Sequence, residues 1–186
     1  VDFLNEGSTQ NFISFLKKRK VDILVNNAGI NKVDKFTKIK TQDFDEILRV
    51  NLKTPFMLSQ TVIPGMIKRK WGRIVNITSI FSQISKEGRA SYSASKFGLD
   101  GLTAAMSAEL SSEGILINSV GPGIIDTDLT SKILGKKGKE QIAKKIPIGR
   151  LGNPQEIAKL VAWLVSEQNT YMTGQNIFID GGFSRV

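Results

Sequence analysis

The chain has 186 residues, 40% of them hydrophobic, and carries 26 Lys and Arg against 17 Asp and Glu, a net charge of +9. That length and composition suit one globular domain with a substantial core and give no reason to expect disorder. There is no histidine and no cysteine, which excludes Ser-His-Asp and thiol nucleophiles, a disulfide framework and the usual zinc centres, and leaves proton transfer to Tyr, Lys, Asp or Glu.

In chain order, short apolar runs alternate with amphipathic ones. Helices are predicted at 8–19, 42–69 (with an interruption near Pro64), 91–112 and 154–166, with less regular helical pieces at 128–145. Strands are predicted at "DILV" 22–25, "RIVNIT" 73–78, "ILINSV" 115–120 and "NIFID" 176–180. Asn153-Pro154 is a start signal for the last long helix, a capping side chain followed by proline in the first turn. The alternation predicts βαβ units and an α/β fold, a parallel sheet covered by helices on both faces. "DILV" then reads as a strand buried on both faces whose outer edge needs a partner. That edge, and a first residue that is Val, predict that βα units precede this sequence.

The positive charge is concentrated in "KKRK" at 17–20 and "KRKWGR" at 68–73. Each run closes a predicted helix just before a strand, where cations satisfy the last carbonyls and the negative end of the helix dipole. With no aromatic-interleaved basic face, nucleic acid is not an expected partner. No run reaches the 18 or more apolar residues of a membrane span, so the expectation is a cytoplasmic protein without a membrane partner. The sequon Asn76-Ile77-Thr78 falls inside a predicted buried strand and is taken as coincidence.

In "SYSASKFGLD", Tyr92 precedes Lys96 by four residues. On a helix the two share a face, one turn apart, and an ammonium beside a phenol favours phenolate. A phenol so tuned exchanges a proton with an oxygen that is becoming a carbonyl or an alcohol. The spacing alone is common by chance. Around it, however, stand Ser79 at the end of "RIVNITS", "VNNAG" at 25–29, "RVNL" at 49–52, "VGPGIIDTDLT" at 120–130, "IGRLGNPQEIA" at 148–158 and "YMTGQNIFIDGG" at 171–182. In this order they resemble the short-chain dehydrogenase/reductase family over essentially the whole chain.

The resemblance implies a Rossmann-type doubly wound parallel sheet, the four readable strands being the C-terminal part of a seven-stranded family sheet, and an NAD- or NADP-dependent oxidoreductase. It implies Tyr92 as general acid/base, Lys96 as the cation that tunes it and binds the nicotinamide ribose, Ser79 as a donor to the substrate oxygen, and Asn51 as support for a water-borne proton relay. Cofactor contacts are implied for Asn27, Ala28 and Gly29, for Pro122, Gly123, Ile125 and Thr127, and for Asp2 and Phe3 at an adenine pocket, with Asn26 bracing strands instead. No metal is implied. The family's glycine-rich loop for the pyrophosphate has no counterpart in the sequence, so residues 1–186 alone are expected to bind cofactor weakly, and preference between NAD and NADP is not legible.

Overall similarity is greatest to 3-oxoacyl-acyl-carrier-protein reductases, which makes a 3-oxoacyl thioester the first substrate expectation and a sugar, polyol or other small ketone the second. Against the first, Glu113 stands where such reductases tend to carry a basic residue for the carrier protein, while Lys70 fits that role. "KKGKEQIAKK", in the variable segment 128–146, reads as a solvated helix rather than a lid. Helices 42–69 and 91–112 are expected to pair subunits in a homodimer or homotetramer. A different class of reading is a non-catalytic fragment held by subunit packing.

Overall fold

The protein is described by a computed structural model covering residues 1–185, with all their side chains except those of Leu129 and Ile133. Helix α1 (Glu6–Lys17) leads into β1 (Ile23–Asn26), followed by α2 (Thr41–Leu48), a π turn (Arg49–Lys53), α3 (Thr54–Arg69) and β2 (Gly72–Ile77). Then come α4 (Ala90–Leu110), β3 (Ile115–Pro122), α5 (Asp128–Ala143), α6 (Pro154–Leu164) and β4 (Asn176–Ile179). The strands form one parallel sheet in the order β1-β2-β3-β4, with Val25 opposite Val75, Ile74 opposite Ile117 and Val120 opposite Ile177.

The period of two along each strand divides the core into two layers. Ile74, Ile115 and Ile117 face α3 and α4, packing on Val62, Met66 and Leu110, with Leu16 of α1 and Leu24 of β1 against the same cluster. Val75 and Val120 point to the other side, where α6 supplies Leu164 and half-buried Ile157, Leu160 and Val161. Helix α6 starts as predicted: Gln155 N donates to Asn153 Oδ1 at 2.9 Å and Asn153 N donates to Glu156 Oε2 at 2.7 Å, a reciprocal cap.

Three expectations are corrected. The 42–69 stretch is interrupted at the π turn 49–53, not at Pro64, which lies within α3. Proline there removes a bond to the carbonyl of Gln60, a residue on the exposed face where solvent can meet that oxygen. β1 is not buried on both faces. It is the outer strand of the described sheet, where Ile23 and Val25 are 45% and 39% exposed while Leu24 packs inward. Finally, α5 is not simply a solvated helix: it bends at Gly135 (φ 60°, ψ −177°) and brings Leu134 and Ile142 to the rim of a cleft.

The basic runs are absorbed locally. Arg69 Nε donates to Asp22 Oδ1 and its Nη2 to Val21 O, both at 2.6 Å, and Arg73 lies over the Trp71 ring with Nη2 donating to Asn169 O at 3.1 Å. No helix among the described residues is long and apolar enough to cross a membrane.

Candidate active site

Parallel strands that all run one way deliver their C-terminal ends, and the loops that follow, to one edge of the sheet. Ser79 follows β2 in an extended conformation (φ −172°, ψ 164°) and is nearly buried. Tyr92 and Lys96 project from the first turns of α4, which packs beside the same strand ends. Ser79 and Tyr92 line a cleft of 220 Å³ together with Asn31, Phe81, Lys86, Arg89, Gly123, Ile124 and Ile125, closed on one side by Leu134 and Ile142 of α5. The Tyr92 ring is held edge-on to Phe81, centroids 6.2 Å apart.

Burial pushes the Tyr92 phenol above its ordinary value, outweighing the Ser79 hydroxyl beside it and the Arg89 charge, both of which pull it down. Lys96 is buried, with Nζ 5.6 Å from the centre of the Tyr92 ring and donating to Ile77 O at 2.7 Å. Burial of its ammonium pushes its pKa down to about 8. The Arg89 guanidinium, three residues earlier, is thus a second cation at the phenol, beside the Lys96 ammonium expected from spacing.

The π turn at 49–53 gives Asn51 its place. The widened turn sets this fully buried side chain against the segment after β1: Oδ1 accepts from Ile30 N at 2.8 Å, and Nδ2 donates to Ile30 O at 2.9 Å and Ser95 Oγ at 3.0 Å. Ser95 Oγ in turn donates to Tyr92 O at 2.7 Å, so the π turn, the β1 loop and α4 are tied at one point. Sequence reasoning missed Ser95, Arg89 and Lys86; only their proximity to Tyr92 along the chain pointed to them.

Asn27, Ala28 and Gly29 form an exposed strip along the strand ends, and a Cβ on Gly29 would lie 3.4 Å from Asn51 Oδ1 and 3.6 Å from Lys96 Nζ. Asn26 instead donates to Asn76 Oδ1 at 2.8 Å, a brace between β1 and β2. Pro122 ends β3, Gly123 and Ile125 line the cleft, and Ile125 bridges to Gly152. Thr127 is the exposed N-cap of α5, accepting from Thr130 N at 3.2 Å. Asp2 and Phe3 are not brought to the cleft. Asp2 Oδ1 accepts from Leu4 N at 2.9 Å, and Phe3 packs edge-on to Phe12 while its carbonyl accepts from Arg49 Nε at 3.2 Å. Among the described residues no group of acidic side chains is placed to hold a metal ion.

Of the three N–H donors of an ammonium, one on Lys96 is engaged by Ile77 O, leaving two beside the open Asn27–Gly29 backbone. A buried cation with free donors under a strip of exposed main chain fits a vicinal diol such as a ribose.

The sequence comparisons agree with this geometry. Residues 1–184 match a family model described as Enoyl-(Acyl carrier protein) reductase. The 3-oxoacyl-[acyl-carrier-protein] reductase of Rickettsia felis is 43% identical over 98% of this chain, which covers 74% of that protein, and the reductase of Rickettsia conorii is 44% identical over 95%, covering 72%. Among solved structures, a putative NAD(P)-dependent gluconate 5-dehydrogenase from Beutenbergia cavernae with bound NADP superposes with a TM-score of 0.94 at 31% identity, covering all of this chain and 76% of its own. A 4-hydroxyisoleucine dehydrogenase complexed with NADH gives 0.93 at 34% identity, covering all of this chain and 78% of its own. A parallel sheet with tyrosine, lysine and serine gathered at its carboxyl edge, on a chain matched from end to end by such relatives, belongs to the short-chain dehydrogenase/reductase family, and the protein is an NAD(P)-dependent oxidoreductase.

Proposed function

We propose that the chain reduces the 3-oxo group of an acyl thioester carried on an acyl carrier protein, in the cytoplasm. The observation that carries the substrate is the 42–44% identity to 3-oxoacyl-[acyl-carrier-protein] reductases. A carbonyl, rather than the carbon–carbon double bond of an enoyl substrate, suits two neighbouring hydroxyl groups lining one cleft, those of Ser79 and Tyr92.

When bound, NAD(P)H would supply the hydride that the carbonyl carbon receives. Tyr92, kept protonated at neutral pH by burial, gives its proton to the oxygen, and Ser79 donates to that oxygen as its charge grows. Lys96 holds the nicotinamide ribose with its free donors and supports the phenolate left behind. Asn51 grips the Ile30 peptide from both ends and fixes the floor under Lys96, placing a water for the proton relay. Gly29, Asn27 and Ala28, with Pro122, Gly123, Ile125 and Thr127, flank the cofactor, and Asp2 and Phe3 meet its adenine end. Residues 1–186 act as one Rossmann-type unit.

A carrier protein is acidic as a partner, and Lys70 was the candidate cation for it; in the structure Lys70 pairs with Glu113, though both are exposed and such a pair is weak. A small hydroxy or oxo compound is the second reading, favoured by the modest volume of the cleft. Nicotinamide absorbance with NADH and NADPH against a 3-oxoacyl thioester and a panel of small ketones tests both. Turnover of the thioester at no more than the rate of the ketones would remove the first reading.

We further propose that the chain assembles as a homodimer or homotetramer through α3 and α4. Phe56 and Phe97 stand 45% and 46% exposed there, beside an apolar hollow of 760 Å³ lined by Leu48, Leu52 and Leu102. Light scattering should give two or four times the chain mass of 20.5 kDa. A monomer at micromolar concentration would refute it.

A further inference from the structure

The cleft has a charged end that the reduction of a neutral acyl group does not use. Arg89, just before the first turn of α4, and Lys86 both line it, and both lie on the Phe81 ring, 5.5 Å and 5.8 Å from its centroid. The same ring packs on Tyr92, so the two cations are one aromatic ring away from the reacting position. Arg89 Nε is buried with no hydrogen-bond partner among the described residues. Ser59 Oγ and Arg73 Nε are likewise unpaired, but Arg89 alone of the three lines the cleft, where a ligand can offset the cost of leaving the donor unmet.

The surroundings sharpen the point. Among the described residues neither Lys86, Arg89 nor Lys145 forms an ion pair with a carboxylate, although eight other such pairs occur. Burial lowers the pKa of Lys86, and the charges of Arg89 and Lys145 lower it further. Among the described residues no carboxylate lies within ion-pair distance of any of the three. The N-terminus of the 21-residue α4 adds its positive dipole end beside Arg89. This corner therefore gathers positive charge with no direct carboxylate partner among the described residues.

We propose that Arg89, assisted by Lys86, is an anion-binding residue of the substrate cleft, and that besides acyl thioesters the protein also takes short oxo and hydroxy carboxylates whose carboxylate lies within a few bonds of the reacting carbon. The inference rests on the reading of Tyr92 and Ser79 as the reacting site. A guanidinium three residues from Tyr92 can reach a charge close to the carbonyl, whereas the phosphate of a carrier arm lies far along a thioester chain. The cleft volume, 220 Å³, equals that of about seven liquid waters, room for a short acid. The chemistry balances as before: the oxo carbon gains hydride from the nicotinamide, its oxygen gains the Tyr92 proton, and the carboxylate is unchanged.

The test pairs 3-oxobutanoate with its methyl ester, which share the reacting carbonyl and differ in charge. Calorimetric titration of the full chain should show the acid binding more tightly than the ester, and added salt should weaken the acid alone. In Arg89→Gln the preference for acid over ester, in binding and in kcat/KM, should fall by about 10- to 100-fold, the range for a charge-assisted hydrogen bond. If the acid binds no better than the ester, or Arg89→Gln weakens both equally, the inference is overturned. If the acid binds through Arg89 but neither compound is reduced with NADH or NADPH, the anion site stands and the hydride-transfer reading falls. The salt arm needs no variant, so a failure of Arg89→Gln to fold leaves the question decidable.

Discussion

Tyr92→Phe should lower kcat by at least about 10²-fold while leaving the fold intact. The ring keeps its edge-on packing with Phe81, and only the hydroxyl beside Ser79 is lost. Stability should change by no more than about 1 kcal/mol, the usual net worth of one hydrogen bond. Because burial raises the phenol above its ordinary 10.0, the wild-type group is protonated through neutral pH. Ketone reduction should therefore not need alkaline conditions, whereas alcohol oxidation, which needs phenolate, should accelerate as pH rises. Nicotinamide absorbance gives both rates and a thermal melt gives the stability. Activity of Tyr92→Phe within a factor of two of wild type would end the assignment of this residue.

Lys96→Met should abolish most of the activity and, at neutral pH, make the protein more stable. The Lys96 ammonium is pushed down from 10.5 to about 8 by burial, so the folded protein holds this proton less tightly than the unfolded chain. Between pH 8 and 10.5 the unfolded state binds more protons, and wild-type stability should rise with pH across that window. Below pH 8 the full cost is present, roughly 3 kcal/mol by the size of the shift. The variant also forfeits the bond to Ile77 O, worth about 1 kcal/mol. A net gain of roughly 2 kcal/mol is therefore expected at pH 7, shrinking as pH approaches 10.5 and then reversing in sign as only the lost hydrogen bond remains. Denaturant melts of both proteins at pH 7 and 10 measure it. Equal stability loss at both pH values would show that burial does not strain this lysine.

The four strands were legible because each is a short apolar run bounded by polar or turn residues, and hydrophobic patterning survives in sequence without knowledge of partners. The start of α6 was legible for the same local reason, since Asn153, Pro154 and Glu156 form the cap among themselves. The π turn was not. One extra residue in a helical turn leaves the apolar period of the flanking helices intact, so nothing in 42–69 betrays that Asn51 is turned toward Ile30. Nor was the exposure of Ile23 and Val25 at the outer edge of the described sheet.

By itself, then, the amino-acid sequence determined the parallel α/β architecture, the absence of imidazole and thiol chemistry, and the pairing of Tyr92 with Lys96 through helical spacing. These follow from local periodicity and from composition. Only the tertiary structure decided the electrostatics. Whether the phenol is raised or lowered depends on how deeply it is buried, and the Arg89 charge beside it pulls against that burial. Arg89 became conspicuous because Phe81, from the loop after β2, and the walls of the cleft cover its Nε while bringing no carboxylate within ion-pair distance. Desolvation and counter-charge are sums over neighbours distant in the chain, and those neighbours exist only once it has folded.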